Sequence, residues 1–289
     1  MRRSAGWVAL GCLVVGSAGC DDAPDPGRDV GSYVALGDSY TAGTGSGATV
    51  DGLAAVCGQV NDNYPRLVAE AIPAELTDVS CAGARTRNAT RPQTENGAAG
   101  WPPQLDAVTG DTRLVTVGLG YNDDGFFFET MVGCSTLAVE DPIGSPCRDR
   151  SERAGVDPAA LPDRIGADLA TVLGEVRRRA PGAEVLVVGY PQLVPAQGTC
   201  PELPLASGDY SYVRDRLARL DDAMRRAAEN AKAGFVDVMT ASDGHDICAG
   251  EDAWVNGAQT KPGLAAVFHP FAAEQQAVAD LVVAAVGAR

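Results

Sequence analysis

Apolar and polar positions follow two rhythms along this chain. Short apolar runs, "YVAL" (33–36), "LTDVS" (76–80), "RLVTVGL" (113–119), "AEVLVVGY" (183–190) and "GFVDVM" (234–239), are separated by longer segments with helical spacing. Three of the five are continuous Val/Leu runs, as expected of strands covered on both faces. Helices are predicted over 63–72, 161–180, 210–231 and 270–287. In the third, Val213, Leu217, Leu220 and Met224 recur at spacings of three and four, so one stripe faces a sheet while Arg and Asp cover the rest. This alternation predicts an α/β domain, a parallel sheet with helices on both faces. The irregular stretches 40–62, 84–104, 121–157, 191–208 and 240–268 all follow strands. They therefore lie at the carboxyl ends, where open α/β sheets bind ligands.

The first residues obey a different pattern. Arg2 and Arg3 precede the apolar "GWVALGCLVVG" and the small-residue "SAGC", which reads as an export signal over 1–19. The apolar segment is short for a membrane span, which needs roughly 20 residues. "SAGC" followed by Asp21 and Asp22 also resembles a lipobox, in which Cys20 becomes a lipidated first residue, although Ser17 departs from that pattern. Ordinary cleavage nearby, with Cys20 lost or left free, is the alternative. Residues 20–30, rich in Pro and Asp, then form a polar tether, and 31–289 a single domain without internal repeats. The expected location is extracellular or at the cell envelope, with attachment to a membrane surface if Cys20 is lipidated.

Cysteine usage agrees with export. Removing Cys12 and Cys20 from the eight leaves Cys57, Cys81, Cys134, Cys147, Cys200 and Cys248. Six cysteines allow about 15 connectivities. Sequential pairing, Cys57–Cys81, Cys134–Cys147 and Cys200–Cys248, is the simplest. The formal charge of −15, without a Lys/Arg stripe, argues against a nucleic-acid partner, because such binding depends on neutralising phosphates. A monomer is expected.

The chain has two histidines, His245 and His269, too few for a usual zinc site with the cysteines engaged in bridges, so no metal and no cofactor are expected. "GTGSGA" (43–48) formally fits a dinucleotide-binding pattern, but no helical pattern follows it. The Asn88-Ala89-Thr90 sequon carries no weight beside a bacterial-type signal. Ser39, at the end of the first strand, is a candidate nucleophile, and His269, just before Pro270 and the last helix, a candidate base. Taken singly, a capping serine and a surface loop histidine are the better readings.

Their combination with two further blocks changes that reading. "GDSY" (37–40), "CAGA" (81–84), "GYND" (120–123) and "FHP" (268–270) resemble, in order, the four blocks of the GDSL/SGNH hydrolase superfamily, and are similar to its exported, disulfide-bonded actinobacterial esterase and lipase branch. The resemblance covers essentially the whole domain. It implies a flavodoxin-like three-layer α/β/α sandwich with a central five-stranded parallel sheet, and a serine esterase or lipase acting on carboxylic esters, lipid or small. It also implies Ser39 as nucleophile, His269 as base, and an oxyanion hole of the Ser39 N–H, the Gly83 N–H and the Asn122 side chain. The family commonly places an Asp three residues before the His, and here that position is Ala266. A main-chain carbonyl, that of Ala266 or one close by, is expected to orient His269 instead. Tyr121 replaces the second Gly of a Gly-Gly-Asn-Asp block, which suggests tuning of the acyl or alcohol pocket. "GFFFETM" (125–131) either lines an acyl wall or packs the base of its loop. His245, in the Cys200–Cys248 loop, reads as structural. The alternative function is a non-enzymatic exported ligand-binding lipoprotein on the same fold, which would be expected to lack one of Ser39, His269 or Asn122.

Overall fold

The computed structural model describes residues 30–94 and 100–287. The export signal, Cys20 and the tether up to residue 29 lie outside the described residues. Five strands, β1 (Gly31–Gly37), β2 (Ala74–Asp78), β3 (Leu114–Gly118), β4 (Glu184–Val188) and β5 (Gly234–Val236), form one sheet in the order β2-β1-β3-β4-β5. Every pairing is parallel. This is the flavodoxin-like order, and its switch point between β1 and β3 is where such sheets place ligands.

The period-two alternation of the strands assigns the faces. Val34 and Leu36 of β1, Val115 and Val117 of β3 and Val185 and Val187 of β4 join one buried cluster. That cluster is covered by α6 (Ala160–Arg179) and α7 (Tyr210–Asn230), through stripes that include Leu169, Leu173, Leu217 and Leu220. Tyr33, Ala35, Leu114 and Leu186 point the other way, against α3 (Tyr64–Ala71) and α9 (Ala272–Gly287). Full burial of such a side chain contributes about 1.5–3 kcal/mol, so both layers are held by the pattern read from the sequence.

The differences from the sequence reading are local. The run 234–239 divides, because Asp237 accepts a hydrogen bond from the Thr240 N–H and starts the short helix α8 (Val238–Ala241) where strand was expected. The stretch 121–157 holds a π-helical turn over Phe128–Gly133, then α4 (Cys134–Ala138) and α5 (Pro146–Arg153). Segment α5, "PCRDRSER", has no apolar stripe and so no helical signature beyond its leading Pro. The remaining helices are α1 (Ser39–Ala42) and α2 (Leu53–Val56), both in the loop after β1.

The cysteines pair sequentially, Cys57–Cys81, Cys134–Cys147 and Cys200–Cys248, closing sequence separations of 24, 13 and 48. All three bridges lie in or beside loops at the carboxyl end of the sheet. The chain-entropy model assigns loops of these sizes about 3–4 kcal/mol each. Replacing Cys57 and Cys81 together by Ala is expected to lower stability by about 3 kcal/mol, read as a lower urea midpoint.

Candidate active site

The site begins where β1 stops. A Cβ on Gly37 would lie 2.0 Å from the Thr41 hydroxyl oxygen, so only glycine lets α1 fold back over the strand end. Both polar groups of Gly37 are held: the Gln104 side chain accepts from its N–H and donates to its carbonyl, each at 2.9 Å. Asp38 then caps α1, its Oδ1 accepting from the Tyr40 N–H at 2.9 Å. Ser39 is the first residue of α1 and is 7% exposed.

His269 Nε2 lies 2.8 Å from Ser39 Oγ, across 230 residues of chain. On the other side of the ring, Nδ1 lies 2.6 Å from the Val267 carbonyl oxygen, which can only accept, so the proton sits on Nδ1 and Nε2 is free to accept the serine proton. The orienting carbonyl is that of Val267, one residue beyond Ala266. Ala266 is occupied otherwise: its carbonyl accepts from the His269 N–H at 3.3 Å and from Asn256 Nδ2 at 2.9 Å. The correction traces to one dihedral angle. Phe268 adopts φ +55°, the left-handed region, and folds the Val267 carbonyl back onto the imidazole two residues later. Such a conformation costs a side-chain-bearing residue of order 1 kcal/mol or more, so the surroundings must enforce it. Burial lowers the His269 pKa from the ordinary imidazole value, and the Val267 hydrogen bond offsets part of that.

Gly83 lies in the turn Cys81–Ala84 with φ +78°, open to glycine and unfavourable to other residues. This turn is fixed beside the end of β1, because the Cys81 N–H donates to the Gly37 carbonyl at 3.0 Å and the Ala82 N–H to the Cys57 carbonyl at 2.8 Å. Among the described residues, neither the Ser39 nor the Gly83 N–H has a hydrogen-bond partner. Asn122 follows β3, and its Nδ2 donates to the Ala84 carbonyl at 3.1 Å and to Asp38 Oδ2 at 3.3 Å. Asp123 straps the same two blocks together by accepting from the Thr86 N–H and hydroxyl.

Several residues here carried no sequence signal. Tyr190, after β4, donates to Asp38 Oδ2 at 2.7 Å and accepts from the Tyr121 N–H at 3.3 Å. Burial, opposed by the Tyr190 and Tyr40 donors, pushes the Asp38 carboxyl up to about 7. Tyr121 is 2% exposed, with its ring 3.5 Å from that of Tyr190 and nearly parallel to it. It therefore packs in the core against Tyr190. The three phenylalanines divide: Phe126 is buried, Phe127 meets the His269 ring edge-on at 6.0 Å, and Phe128 is 63% exposed. His245 is bound within its own loop, Nδ1 at 2.7 Å from the Asp252 carbonyl and its ring stacked on Trp254 at 4.4 Å.

Residues 35–277 match the model of the GDSL-like Lipase/Acylhydrolase family. The chain belongs to that family. Lipase 2 of Streptomyces coelicolor is 41% identical over 260 residues, 86% of this chain and 84% of that one. An esterase of Streptomyces scabiei is 33% identical over 294 residues, covering 89% and 84%. Among solved structures, phospholipase A1 from Streptomyces albidoflavus superposes with a TM-score of 0.71 at 29% identity, covering 89% of this chain and 98% of that one. The extracellular lipase from Streptomyces rimosus gives 0.71 at 28%, covering 89% and 99%. This GDSL-family hydrolase is an enzyme of the lipase/esterase class, acting on carboxylic esters.

Two outcomes are expected. Because the Val267 carbonyl already orients the imidazole, Ala266→Asp should bring no large rise in kcat, measured with a p-nitrophenyl ester. The second concerns Glu274, in the first turn of α9, which is 3% exposed and whose carboxyl burial pushes from the ordinary 4.5 up to about 8. The folded protein then holds a proton that the unfolded chain releases, so this contribution is complete below about 4.5 and lost as pH rises through about 8. Glu274→Gln should flatten the fall in urea stability between those limits.

Proposed function

We propose that this family member is exported and hydrolyses carboxylic esters through a Ser39–His269 pair, without a side-chain acid behind the histidine. The observation that carries this reading is the line from the Val267 carbonyl through Nδ1 and Nε2 to Ser39 Oγ, at 2.6 and 2.8 Å. His269 accepts the hydroxyl proton as Oγ attacks the ester carbonyl, then returns it to the leaving alkoxide. Water attacks the resulting acyl-serine by the same route, and Ser39 is regenerated.

The developing oxyanion is held by the Ser39 N–H, the Gly83 N–H and Asn122 Nδ2. Two of these are backbone donors without another partner among the described residues, and Asn122 supplies its proton by exchanging the long contact to Asp38 for the oxyanion while keeping the shorter one to Ala84. Each such donor is worth about 10²–10³ in kcat. Phe127 beside the imidazole and the exposed Phe128 favour esters with an apolar acyl group. The names of the relatives, lipase and phospholipase A1, agree with that class. Export is supported by the signal over 1–19 and by the extracellular description of the Streptomyces rimosus relative.

The test is a chain-length series of p-nitrophenyl esters alongside acetylated xylan. Turnover is expected on the p-nitrophenyl esters, rising from acetate to longer chains, and Ser39→Ala should lower kcat by at least about 10³. Full turnover by Ser39→Ala would sink the Ser39 mechanism, and absence of turnover by the wild type would favour the ligand-binding alternative.

A further inference from the structure

We propose that Tyr40, the residue after the nucleophile, is the positioning residue for His269: its phenol clamps the Phe268 peptide in the turn that aims the Val267 carbonyl at the imidazole. This rests on the Ser39–His269 reading above and adds the group that makes it hold. A carbonyl can reach the side chain two residues later only if the residue between them turns sharply, and Phe268 does so at φ +55°. A phenylalanine does not choose that region unaided.

Within the turn the His269 N–H donates to the Ala266 carbonyl at 3.3 Å, which also accepts from Asn256 Nδ2 at 2.9 Å, and three further hydrogen bonds fix the Phe268 and His269 backbone. The Phe268 N–H donates to the Gly257 carbonyl at 3.1 Å, and the His269 carbonyl accepts from the Asn256 N–H at 2.9 Å. The third and shortest is from the Tyr40 hydroxyl to the Phe268 carbonyl, at 2.6 Å. The first two come from residues 256–257 of the same loop region and would travel with it if it shifted. Tyr40 alone of the three comes from the helix that carries Ser39. Base and nucleophile are thereby joined at two points, the Nε2 to Oγ contact and this clamp.

The clamp is itself rigid. The Tyr40 N–H is held by Asp38 at 2.9 Å, and its carbonyl accepts from Gln275 Nε2 at 2.9 Å. Its ring stands edge-on to Tyr121 and Tyr190, with centroids 5.3 and 5.4 Å away, and lies 5.5 Å from the His269 ring. Among the described residues the phenol hydroxyl bonds one partner, a backbone oxygen of the loop, so its action on catalysis runs through His269. Burial raises the phenol well above the ordinary tyrosine range, which keeps it a proton donor throughout the working pH of an esterase.

Tyr40→Phe removes the hydroxyl and keeps the ring. The full chain is compared with wild type in thermal melting, p-nitrophenyl ester kinetics and proton NMR of the imidazole N–H region, where a carbonyl-bonded Nδ1–H appears far downfield. His245 also bonds a carbonyl through Nδ1, at 2.7 Å, so a His245→Gln variant assigns the two signals. The expected result is a near wild-type melt, kcat reduced by about tenfold to a hundredfold with KM unchanged, and the His269 signal lost or broadened while that of His245 stays. A sharp His269 signal in Tyr40→Phe overturns the proposal, whether or not kcat falls. Loss of cooperative melting also overturns it, because the bond would then determine the fold and not the base. If wild type turns over no ester, the hydrolytic reading fails on its own, and the NMR signal still decides the clamp.

Discussion

The carboxyl of Asp38 is buried at the carboxyl end of β1 and accepts from the Tyr40 N–H, the Tyr190 hydroxyl and the Asn122 amide. These donors come from the segments after β1, β4 and β3, so three loops are tied to one side chain. An unsatisfied buried carboxyl would be costly, and its hydrogen bonds are what make the position tolerable. Its neighbours meet the same demand. Gln104 satisfies both polar groups of Gly37, and Gln275 bridges the Tyr40 carbonyl and the Tyr64 N–H. Side-chain amides do this well because each carries both a donor and an acceptor.

A carbonyl in the place of an acid alters the electrostatics of the base. A buried carboxylate behind the imidazole would stabilise the imidazolium, whereas the Val267 carbonyl fixes tautomer and direction without a second charge. Burial already lowers the His269 pKa, which favours the neutral ring, the form able to accept a proton. The role left to the protein is geometric, and the burden falls on the Phe268 turn. That explains why the aromatic residues crowd here: Tyr40, Phe127 and the Tyr121–Tyr190 stack fill the volume around the ring and leave the loop little room to relax.

The bridges complete this frame. Each closes a loop at the catalytic end of the sheet, and the Cys57–Cys81 pair touches the Gly83 turn directly. Loops are ordinarily the mobile part of an α/β domain. A domain that keeps Gly83 and Asn122 on loops beside Ser39 gains from covalent ties there, since they remove freedom from the unfolded chain without adding charge to the site.

The sequence by itself determined the layers, because strand and helix periods are local properties: Val34 and Leu36 face one way and Tyr33 and Ala35 the other whatever lies beyond them. It also determined the chemical inventory, since a serine hydroxyl, an imidazole and a neutral amide are residue types, readable in "GDSY", "GYND" and "FHP". The short helices of 121–157 escaped it because polar segments such as α5 have no stripe to detect. Tertiary structure alone decided which carbonyl serves His269, since one φ angle at Phe268 moves the choice from Ala266 to Val267 and that angle is enforced by Tyr40, 228 residues away. It likewise decided that Tyr121 packs beneath the site and Phe127 beside it, because a ring's neighbours belong to the assembled loops and not to its own segment.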